Sequence, residues 1–334
     1  MLVKEDSEVL TKEGKLAQSG YSKFQNVHWD SQPLASSYKA LRYKKWDFYG
    51  VFAENVTLCM AVADLYFAGN VFVTVFEKGK TPFTVEKLVL PWEELQLSPL
   101  SESGLTLYNS THFSLSFNST NKHSKRIRVH KNEEFNIDLV FEKSPNQEGM
   151  VLLSPMSQDM SQFFFTHKQF NYQVEGTAHI KNKKFVLQGE KGMMDWGRGV
   201  WPYFSTWIWG SGMRGEVALN LGEHLHSPNV TNATDDHILI GEKLIKLGAM
   251  HVSKPGVLKD PWEFKTFNSK STAEYAAANI TFYPEEFFFK TVNFWLVQSD
   301  MKQIFGEYVG QVAFQGNIHN IRVRGLLEVH EARW

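Results

Sequence analysis

The sequence of 334 residues contains one cysteine, Cys59, so it can form no intrachain disulfide and no zinc site built from cysteines. Neither sign of charge is in excess, since 35 Lys and Arg against 36 Asp and Glu leave a formal net charge of -1. This balance argues against a dedicated nucleic-acid-binding protein, whose affinity depends on neutralising phosphates. The Gly-x-Ser-x-Gly motif, the phosphate-binding loop with lysine and the dinucleotide-binding glycine pattern are also missing, which disfavours those enzyme classes.

Long apolar runs are missing as well. No stretch reaches the roughly 18 uninterrupted apolar residues of a transmembrane helix. Residues 1–8 carry charges where a signal peptide would need an apolar segment. We therefore predict a cytoplasmic protein without a transmembrane segment, and we predict no cofactor. The sequence leaves the oligomeric state open.

Strand patterns dominate what is present. Aromatic residues are abundant, with 26 Phe, 10 Trp and 11 Tyr. Apolar residues alternate with polar ones in 113–117 and in 135–141, as strands with one buried face require. Similar segments recur along the chain, separated by turns that combine glycine with charged residues. Helix patterns are few; the best are 271–278 and a possible single turn at 91–95.

The number of strand segments suggests two similar halves. We count about nine segments before residue 170 and about nine or ten after it, close to one barrel of roughly eight strands in each half. The sequence therefore predicts an all-β fold of two antiparallel β-barrels packed together, with few short helices. We place the N-terminal barrel at residues 1–170 and the C-terminal barrel at residues 171–334.

The densest group of unusual residues is Met-Asp-Trp-Gly-Arg-Gly-Val-Trp-Pro-Tyr at 194–203, followed by Thr-Trp-Ile-Trp-Gly at 206–210. Its aromatic members are Trp196, Trp201, Tyr203, Trp207 and Trp209. In a structural interpretation, Gly197 and Gly199 form a bulge or tight corner, Asp195 and Arg198 form a buried ion pair, and the tryptophans fill the end of a barrel.

In a functional interpretation, the same aromatic side chains line an apolar ligand pocket in the C-terminal barrel, and Asp195 and Arg198 supply its charged groups. Asp195 would then donate a proton to an alkene or an ether, or act as the electrostatic partner of the donor. Arg198 would orient Asp195, and indole faces would stabilise a carbocation.

Other candidate residues flank this motif. Lys168 follows an aromatic run and could place one charge in the cavity or lie at a strand end. Asn220 lies on the opposite strand face from Leu219 and Leu221 and could bind a ligand if that face lines the barrel interior. Possible metal ligands are Glu223, His224, His226, Asp235, Asp236 and His237. We favour an exposed loop there and predict no metal site.

The central motif, together with Ala-Leu-Asn-Leu-Gly at 218–222 and Thr231-Asn232, resembles the signature of the domain-of-unknown-function family 2804. Matching flanking segments lie at 45–49, 62–66, 163–168 and 326–334, so the resemblance covers nearly the whole chain. It implies a lipocalin-like double β-barrel, distantly similar to AttH proteins and carotenoid 1,2-hydratases, and it implies no established reaction. The segment Glu-His-Leu-His-Ser at 223–227 departs from the glycine-rich loop of the family.

Together these observations predict a protein that binds a hydrophobic small molecule, of isoprenoid or fatty type, in an aromatic pocket. Catalysis would be acid-assisted hydration, dehydration or cyclisation. The predicted site contains Asp195 and Arg198 as catalytic groups. Its predicted ligand-binding residues are Trp196, Trp201, Tyr203, Trp207, Trp209, Asn220, Asn232 and Lys168. The alternatives are a non-catalytic lipocalin-like carrier and a scaffold whose barrels are filled by their own side chains.

Overall fold

A computed structural model of the chain describes residues 2–35, 38–133, 135–224, 234–268, 270–294 and 297–334. The strands are β1 (Ser7–Glu8), β2 (Gly20–Ser22), β3 (Val27–His28), β4 (Tyr43–Phe52), β5 (Val56–Asp64), β6 (Gly69–Glu77), β7 (Phe83–Val89), β8 (Gly104–Asn109), β9 (Ser114–Asn121), β10 (Ser124–Asn132), β11 (Phe135–Glu142), β12 (Met150–Pro155), β13 (Phe163–Ile180), β14 (Lys183–Val200), β15 (Phe204–Arg214), β16 (Val217–His224), β17 (His237–Ile240), β18 (Lys243–Lys246), β19 (Met250–Ser253), β20 (Trp262–Thr266), β21 (Ala277–Phe294), β22 (Val297–Phe314) and β23 (Asn317–Arg333). The α-helix α1 (Gln32–Ala35) and a 3-10 helix (Tyr38–Arg42) precede β4. The prediction of an almost all-β fold is confirmed.

Two curled sheets account for nearly all strands. The first sheet follows the order β7-β6-β5-β4-β14-β13-β11-β10-β9-β8, and β12 joins β13 to β2. The second sheet follows the order β18-β17-β16-β15-β23-β22-β21-β20-β19. Neighbouring strands within each sheet run antiparallel and are mostly consecutive, as in a β-meander. Among the described residues, neither sheet closes through a ladder between its two edge strands, so each is a half-barrel.

The helix predicted at 271–278 is wrong. Ala277 and Ala278 begin β21 and pair with Ala313 and Val312 of β22. Both alanines are buried, because small side chains fit against the core of the second sheet. Tertiary packing has overridden the high helix propensity of alanine here. Within the described ranges, no helix has the length and apolar character needed to cross a membrane.

Alternation along the strands divides the apolar residues into three layers. Odd and even positions of β14 illustrate the division, since Met194 and Trp196 lie in the core of the first sheet while Met193 faces the second sheet. The second sheet has its own core around Trp262 and Tyr308. The third layer, here called the inter-sheet layer, joins the outer faces of both sheets. It includes Phe48, Phe52, Phe164, Phe170, Met193, Trp201, Trp209, Met213, Phe305 and Leu326.

The chain crosses from the first sheet to the second between Val200, the last residue of β14, and Phe204, the first residue of β15. Both long strands of the hairpin β13–β14 belong to the first sheet, because β14 pairs with β4 along 192–200. The division of domains between residues 170 and 171 stays a prediction, but Asp195 and Trp196, expected in the C-terminal barrel, lie on the first sheet.

Candidate functional site between the two sheets

Two glycines of the central motif make room for aromatic rings. The ladders of β14 with β13 and with β4 are regular from Gly197 to Gly199, so the predicted bulge is wrong. A Cβ atom at Gly197 would lie 2.1 Å from the Trp46 ring, and one at Gly199 would lie 2.9 Å from Trp201 Nε1. The glycines therefore allow two indoles to lie flat against β14 on its inter-sheet face.

Asp195 lies on the same face and accepts hydrogen bonds from three groups. Lys168 Nζ donates to Asp195 Oδ2 at 2.5 Å, and Thr166 Oγ1 donates to Oδ1 at 2.9 Å. Trp46 Nε1 donates to Oδ1 at 3.4 Å. The pairing of Lys168 with Asp195 follows from the hairpin register, in which the two residues are directly opposite. Asp195 therefore has a buried lysine as its partner.

Lys168 also links the two sheets. Its Nζ lies 3.3 Å from Asp235 Oδ2, which precedes β17 of the second sheet, and 4.8 Å from the centre of the Trp209 ring. The Lys168 side chain is only 3% exposed. Burial opposes the charged form, but the carboxylates of Asp195 and Asp235 outweigh it and raise the pKa of Lys168. Lys168 is therefore an ammonium ion held between two carboxylates.

Trp209 is fixed on the opposite wall by an amide. Trp209 Nε1 donates to Asn220 Oδ1 at 2.8 Å, and Asn220 Nδ2 donates to the Asp235 carbonyl at 3.0 Å. The second sheet thereby holds Trp209 against Lys168. Asn220 faces the inter-sheet layer and not a barrel interior, because Leu219 and Leu221 occupy the core face of β16.

His237 and Asp236 extend this polar cluster. His237 Nδ1 lies 2.6 Å from the Asp235 carbonyl, which places a proton on Nδ1. Burial lowers the pKa of His237 to about 4, so the ring is neutral at pH 7. Its Nε2 atom is then an acceptor, and it is buried without a hydrogen-bond partner in the part of the chain that the structure describes. Burial raises the pKa of Asp236 to about 6.

Lys246 lies at the end of the same cluster. Its Nζ donates to the carbonyl oxygens of Asp236 and Leu247 at 2.9 and 2.8 Å and to Thr234 Oγ1 at 3.0 Å. Burial lowers the pKa of Lys246 to about 8. Asp236 and Lys246 therefore both titrate within about one to two pH units of neutrality, as acid and base groups of active sites do.

Arg198 does not pair with Asp195. The two residues lie on opposite faces of β14, and Arg198 Nη1 donates to Asp47 Oδ1 at 2.9 Å inside the first sheet. Its guanidinium also lies 4.2 Å from the centre of the Trp196 ring. The expectation that Arg198 orients Asp195, or forms an ion pair with it, is therefore wrong for this geometry. The strand period of two separates positions three residues apart.

The remaining predicted aromatic residues divide between two places. Trp196 packs in the core of the first sheet, where its ring lies 5.2 Å from that of Phe165. Trp201 and Trp207 lie in or against the inter-sheet layer, with ring centres 5.6 Å apart. Tyr203 is 40% exposed, and the guanidinium of Arg42 lies over its ring.

Some predicted residues lie outside the described part of the chain. Asn232 and His226 belong to this group, as does the side chain of His224. Within the described ranges, no group of three or more His, Cys, Asp or Glu side chains is placed to hold a metal ion. Of the residues considered as metal ligands, Asp235 instead contacts Lys168 through its carboxylate, and the carbonyl of Asp236 accepts a hydrogen bond from Lys246.

Sequence reasoning missed the roles of Thr166, Trp46 and Asp235. The pairing of Lys168 with Asp195 had a signal, because β13 and β14 form a hairpin across the two-residue turn 181–182. Counting outward from that turn places the two residues opposite each other, because the two register shifts between the turn and this pair cancel. No sequence signal connects Asp235 to Lys168, since their sheets meet only in the folded protein.

Comparisons with known proteins agree with this architecture. The sequence profile of a family described as "Domain of unknown function (DUF2804)" matches residues 1–334. The crystal structure of CghA superposes with a TM-score of 0.60 at 13% identity, covering 87% of this chain and 88% of that one. Kievitone hydratase from Nectria haematococca gives a TM-score of 0.52 at 10% identity, covering 95% and 96%.

A third structure, an AttH-like protein from Nitrosomonas europaea, gives a TM-score of 0.48 at 11% identity, covering 88% and 93%. A search of curated proteins gave no match. The predicted family resemblance is confirmed.

Proposed function

The chain belongs to the family of unknown function DUF2804. On this premise we propose that it binds a hydrophobic small molecule between its two sheets and adds water to that molecule or removes water from it. The ligand is of isoprenoid or fatty type and carries at least one oxygen atom. The name of kievitone hydratase assigns the addition of water to that protein, and its similar fold favours this reaction class over others.

One observation carries the proposal: a lysine ammonium lies in an apolar layer, against an indole ring, between two carboxylates of different sheets. Burying charged groups costs several kcal/mol per ion, on the order of what one buried ion pair can return. Folds that need only stability would fill such a layer with apolar side chains. Perturbed, buried ionisable groups are typical of functional sites.

Lys168 supplies the polar contact for the ligand. Its ammonium has three N–H donors, and the described contacts use two of them, toward Asp195 and Asp235. We assign the third donor to an oxygen atom of the ligand. Because Lys168 already occupies a face of Trp209, we do not place a carbocation there. A polarised oxygen is the chemistry that a fixed cation favours.

Proton transfer is assigned to the adjacent acid and base groups. The oxygens of Asp195 accept hydrogen bonds from Lys168, Thr166 and Trp46, so we assign Asp195 the electrostatic role and not that of proton donor. Burial raises the pKa of Asp236 to about 6, so a fraction of this carboxyl group carries a proton at neutral pH. The neutral His237, the next residue in the chain, offers a buried Nε2 acceptor.

A second candidate function is favoured by the close packing of the aromatic rings. Trp46 stacks on Phe164 at 5.5 Å between ring centres, and Trp201 lies 5.7 Å from both. Filled in this way, the layer would only join the two sheets, and the protein would be a scaffold. A carrier that binds the ligand without turnover is the third outcome of the test.

The test is native mass spectrometry, followed by solvent extraction, of the full chain purified from its own cells. A bound species of defined mass supports the ligand site and supplies the substrate for a turnover assay. Asp195→Asn is expected to abolish turnover and to keep the fold, with Lys45→Met as a charge variant outside the site. Turnover by Asp195→Asn at the wild-type rate would exclude the proposed role, and binding without turnover would show a carrier.

A chain free of ligand, with no quenching of tryptophan fluorescence by a panel of lipids, would favour the scaffold. We propose that this activity is cytoplasmic.

A further inference from the structure

A polar cluster that the proposed function does not use lies on the second sheet beside Trp207. Ser299 belongs to β22, and Glu328 and His330 belong to β23. In the ladder of these strands, Ser299 is opposite Ala332, two residues from His330, so Ser299 and His330 are diagonal neighbours on one face. Glu328 lies on that face as well, two residues from His330.

The three side chains form a series of contacts in space, from Ser299 through His330 to Glu328. Ser299 Oγ lies 2.8 Å from His330 Nε2. His330 Nδ1 lies 3.5 Å from Glu328 Oε1, an ion-pair distance somewhat longer than a hydrogen bond. A hydroxyl, an imidazole and a carboxylate in this order form the arrangement that activates a serine nucleophile, and the distances are often longer in enzymes without substrate.

The carboxylate is itself held in place. Trp207 Nε1 donates to Glu328 Oε1 at 3.0 Å, and Gln303 Nε2 donates to Glu328 Oε2 at 3.1 Å. Burial opposes ionisation, but the neighbouring His330 together with these two donors keeps the pKa of Glu328 below its ordinary value. Glu328 is therefore a carboxylate that can stabilise a protonated imidazole.

Trp207 orients the His330 imidazole, and the Ser299 hydroxyl is the more exposed end of the cluster. His330 is opposite Trp207 in the ladder of β23 with β15, and the two rings are 4.2 Å apart. The side chains of His330 and Glu328 are 10% and 12% exposed, whereas Ser299 is half-buried. A substrate that reaches this face would meet the hydroxyl before the imidazole.

Two indole N–H groups near the cluster have no acceptor among the described residues. The Nε1 atoms of Trp201 and Trp334 are buried and have no hydrogen-bond partner among the described residues. The Trp201 and Trp334 rings lie 5.6 and 5.9 Å from the Trp207 ring. A buried donor without a partner costs free energy, which an acceptor on a ligand would return. Such donors can stabilise a developing oxyanion.

We propose that Ser299, His330 and Glu328 form a catalytic triad that hydrolyses carboxylic esters with an aromatic or other apolar group, which the surrounding indoles would bind. This inference is independent of the proposed ligand at Lys168. The absence of a Gly-x-Ser-x-Gly motif does not exclude this triad, because Ser299 lies within a strand and not on the strand-to-helix turn that the motif forms. A triad is recognised by its geometry and not by its sequence spacing.

The reaction consumes one ester and one water. Ser299 Oγ bonds to the carbonyl carbon as its proton moves to His330 Nε2, and the carbonyl oxygen becomes an oxyanion. The C–O bond then breaks, and His330 gives the proton to the leaving alcohol. Water attacks the acyl-serine and gives a proton to His330, which returns it to Ser299 Oγ as the carboxylic acid leaves.

The experiment exposes the full chain to an alkyl fluorophosphonate and, separately, to p-nitrophenyl butyrate. We expect a phosphonyl adduct on the peptide that contains Ser299, and ester hydrolysis with an initial burst. Ser299→Ala is expected to lose the adduct and to lower the rate by at least about 1,000-fold, and His330→Gln should act similarly. Ser116→Ala, at another half-buried strand serine, should retain both.

Circular dichroism of each variant separates loss of folding from loss of chemistry. If Ser299→Ala does not fold, Ser299→Cys keeps a nucleophile of similar size. Its thiol should react with iodoacetamide faster than the thiol of Ser299→Cys/His330→Gln. The triad is overturned if the folded wild-type chain forms no adduct, if the adduct lies on another residue, or if Ser299→Ala hydrolyses the ester at the wild-type rate.

Discussion

Replacing Lys168 by methionine removes the ammonium group that lies 2.5 Å from Asp195 and 3.3 Å from Asp235, and it keeps an unbranched side chain. Both carboxylates stay in the apolar layer, because the side chains of Asp195 and Asp235 are 8% and 1% exposed. Removing one partner of a buried ion pair leaves an uncompensated charge, which costs about 3–5 kcal/mol. We expect Lys168→Met to lower the free energy of unfolding by about that amount.

Lys45→Met is the matched control. Lys45 Nζ also lies 2.5 Å from a carboxylate, that of Asp64, but these side chains are 28% and 22% exposed. Water screens this pair, so we expect a loss below about 1 kcal/mol. Urea unfolding followed by tryptophan fluorescence measures both variants. Equal losses in Lys168→Met and Lys45→Met would refute the argument that burial makes the Lys168 pair costly to break.

A second substitution separates charge from packing. Lys168→Met/Asp195→Asn removes one of the two carboxylates that the first change leaves without a cation. We expect this double variant to be more stable than Lys168→Met alone, because less negative charge remains buried. If Asp195→Asn instead destabilises Lys168→Met as much as it destabilises the wild type, the two side chains are not coupled.

Four further predictions follow from buried groups and close contacts. Because the folded state raises the pKa of Asp236 to about 6, stability is lost as the pH rises from about 4 to 6, and Asp236→Asn should remove that loss, about 3 kcal/mol in urea titrations. The lowered pKa of His237 has the opposite effect, since stability is lost as the pH falls from about 6.5 to 4, and His237→Gln should remove it. Gly197→Ala should unfold at lower temperature, because its Cβ would lie 2.1 Å from the Trp46 ring. Burial raises the pKa of Cys59, so its thiol should react with a disulfide reagent only after unfolding.

For each of these predictions, a specific result would refute the physical argument behind it. If Asp236→Asn and His237→Gln leave the pH dependence of the free energy of unfolding between pH 4 and 6.5 the same as in the wild type, the pKa shifts of these two residues are refuted. Gly256→Ala, where a Cβ meets nothing within 4 Å, is the control for Gly197→Ala, and equal melting temperatures would refute the contact with Trp46. Rapid modification of native Cys59 would show that the inter-sheet layer opens.

The sequence determined the fold class and the importance of the central motif. Alternation of apolar and polar residues specifies strands locally, because successive side chains point to opposite faces, and 135–141 became β11 as predicted. The same rule could have shown that Asp195 and Arg198 face opposite sides of one strand. Counting outward from the two-residue turn could also have paired Lys168 with Asp195, but only because the two register shifts of this hairpin cancel.

Only the tertiary structure decided what lies behind each face. Asp235 reaches Lys168 because the outer faces of two sheets meet, and no local pattern encodes which faces will meet. Ser299 and His330 are 31 positions apart and became neighbours through the ladder of β22 with β23. The alanines at 277 and 278 favour a helix in isolation, yet burial against the second sheet made them strand. Local propensity is worth a few tenths of a kcal/mol per residue, whereas burial of apolar surface is worth about 25 cal/mol per Å², so packing decides where the two disagree.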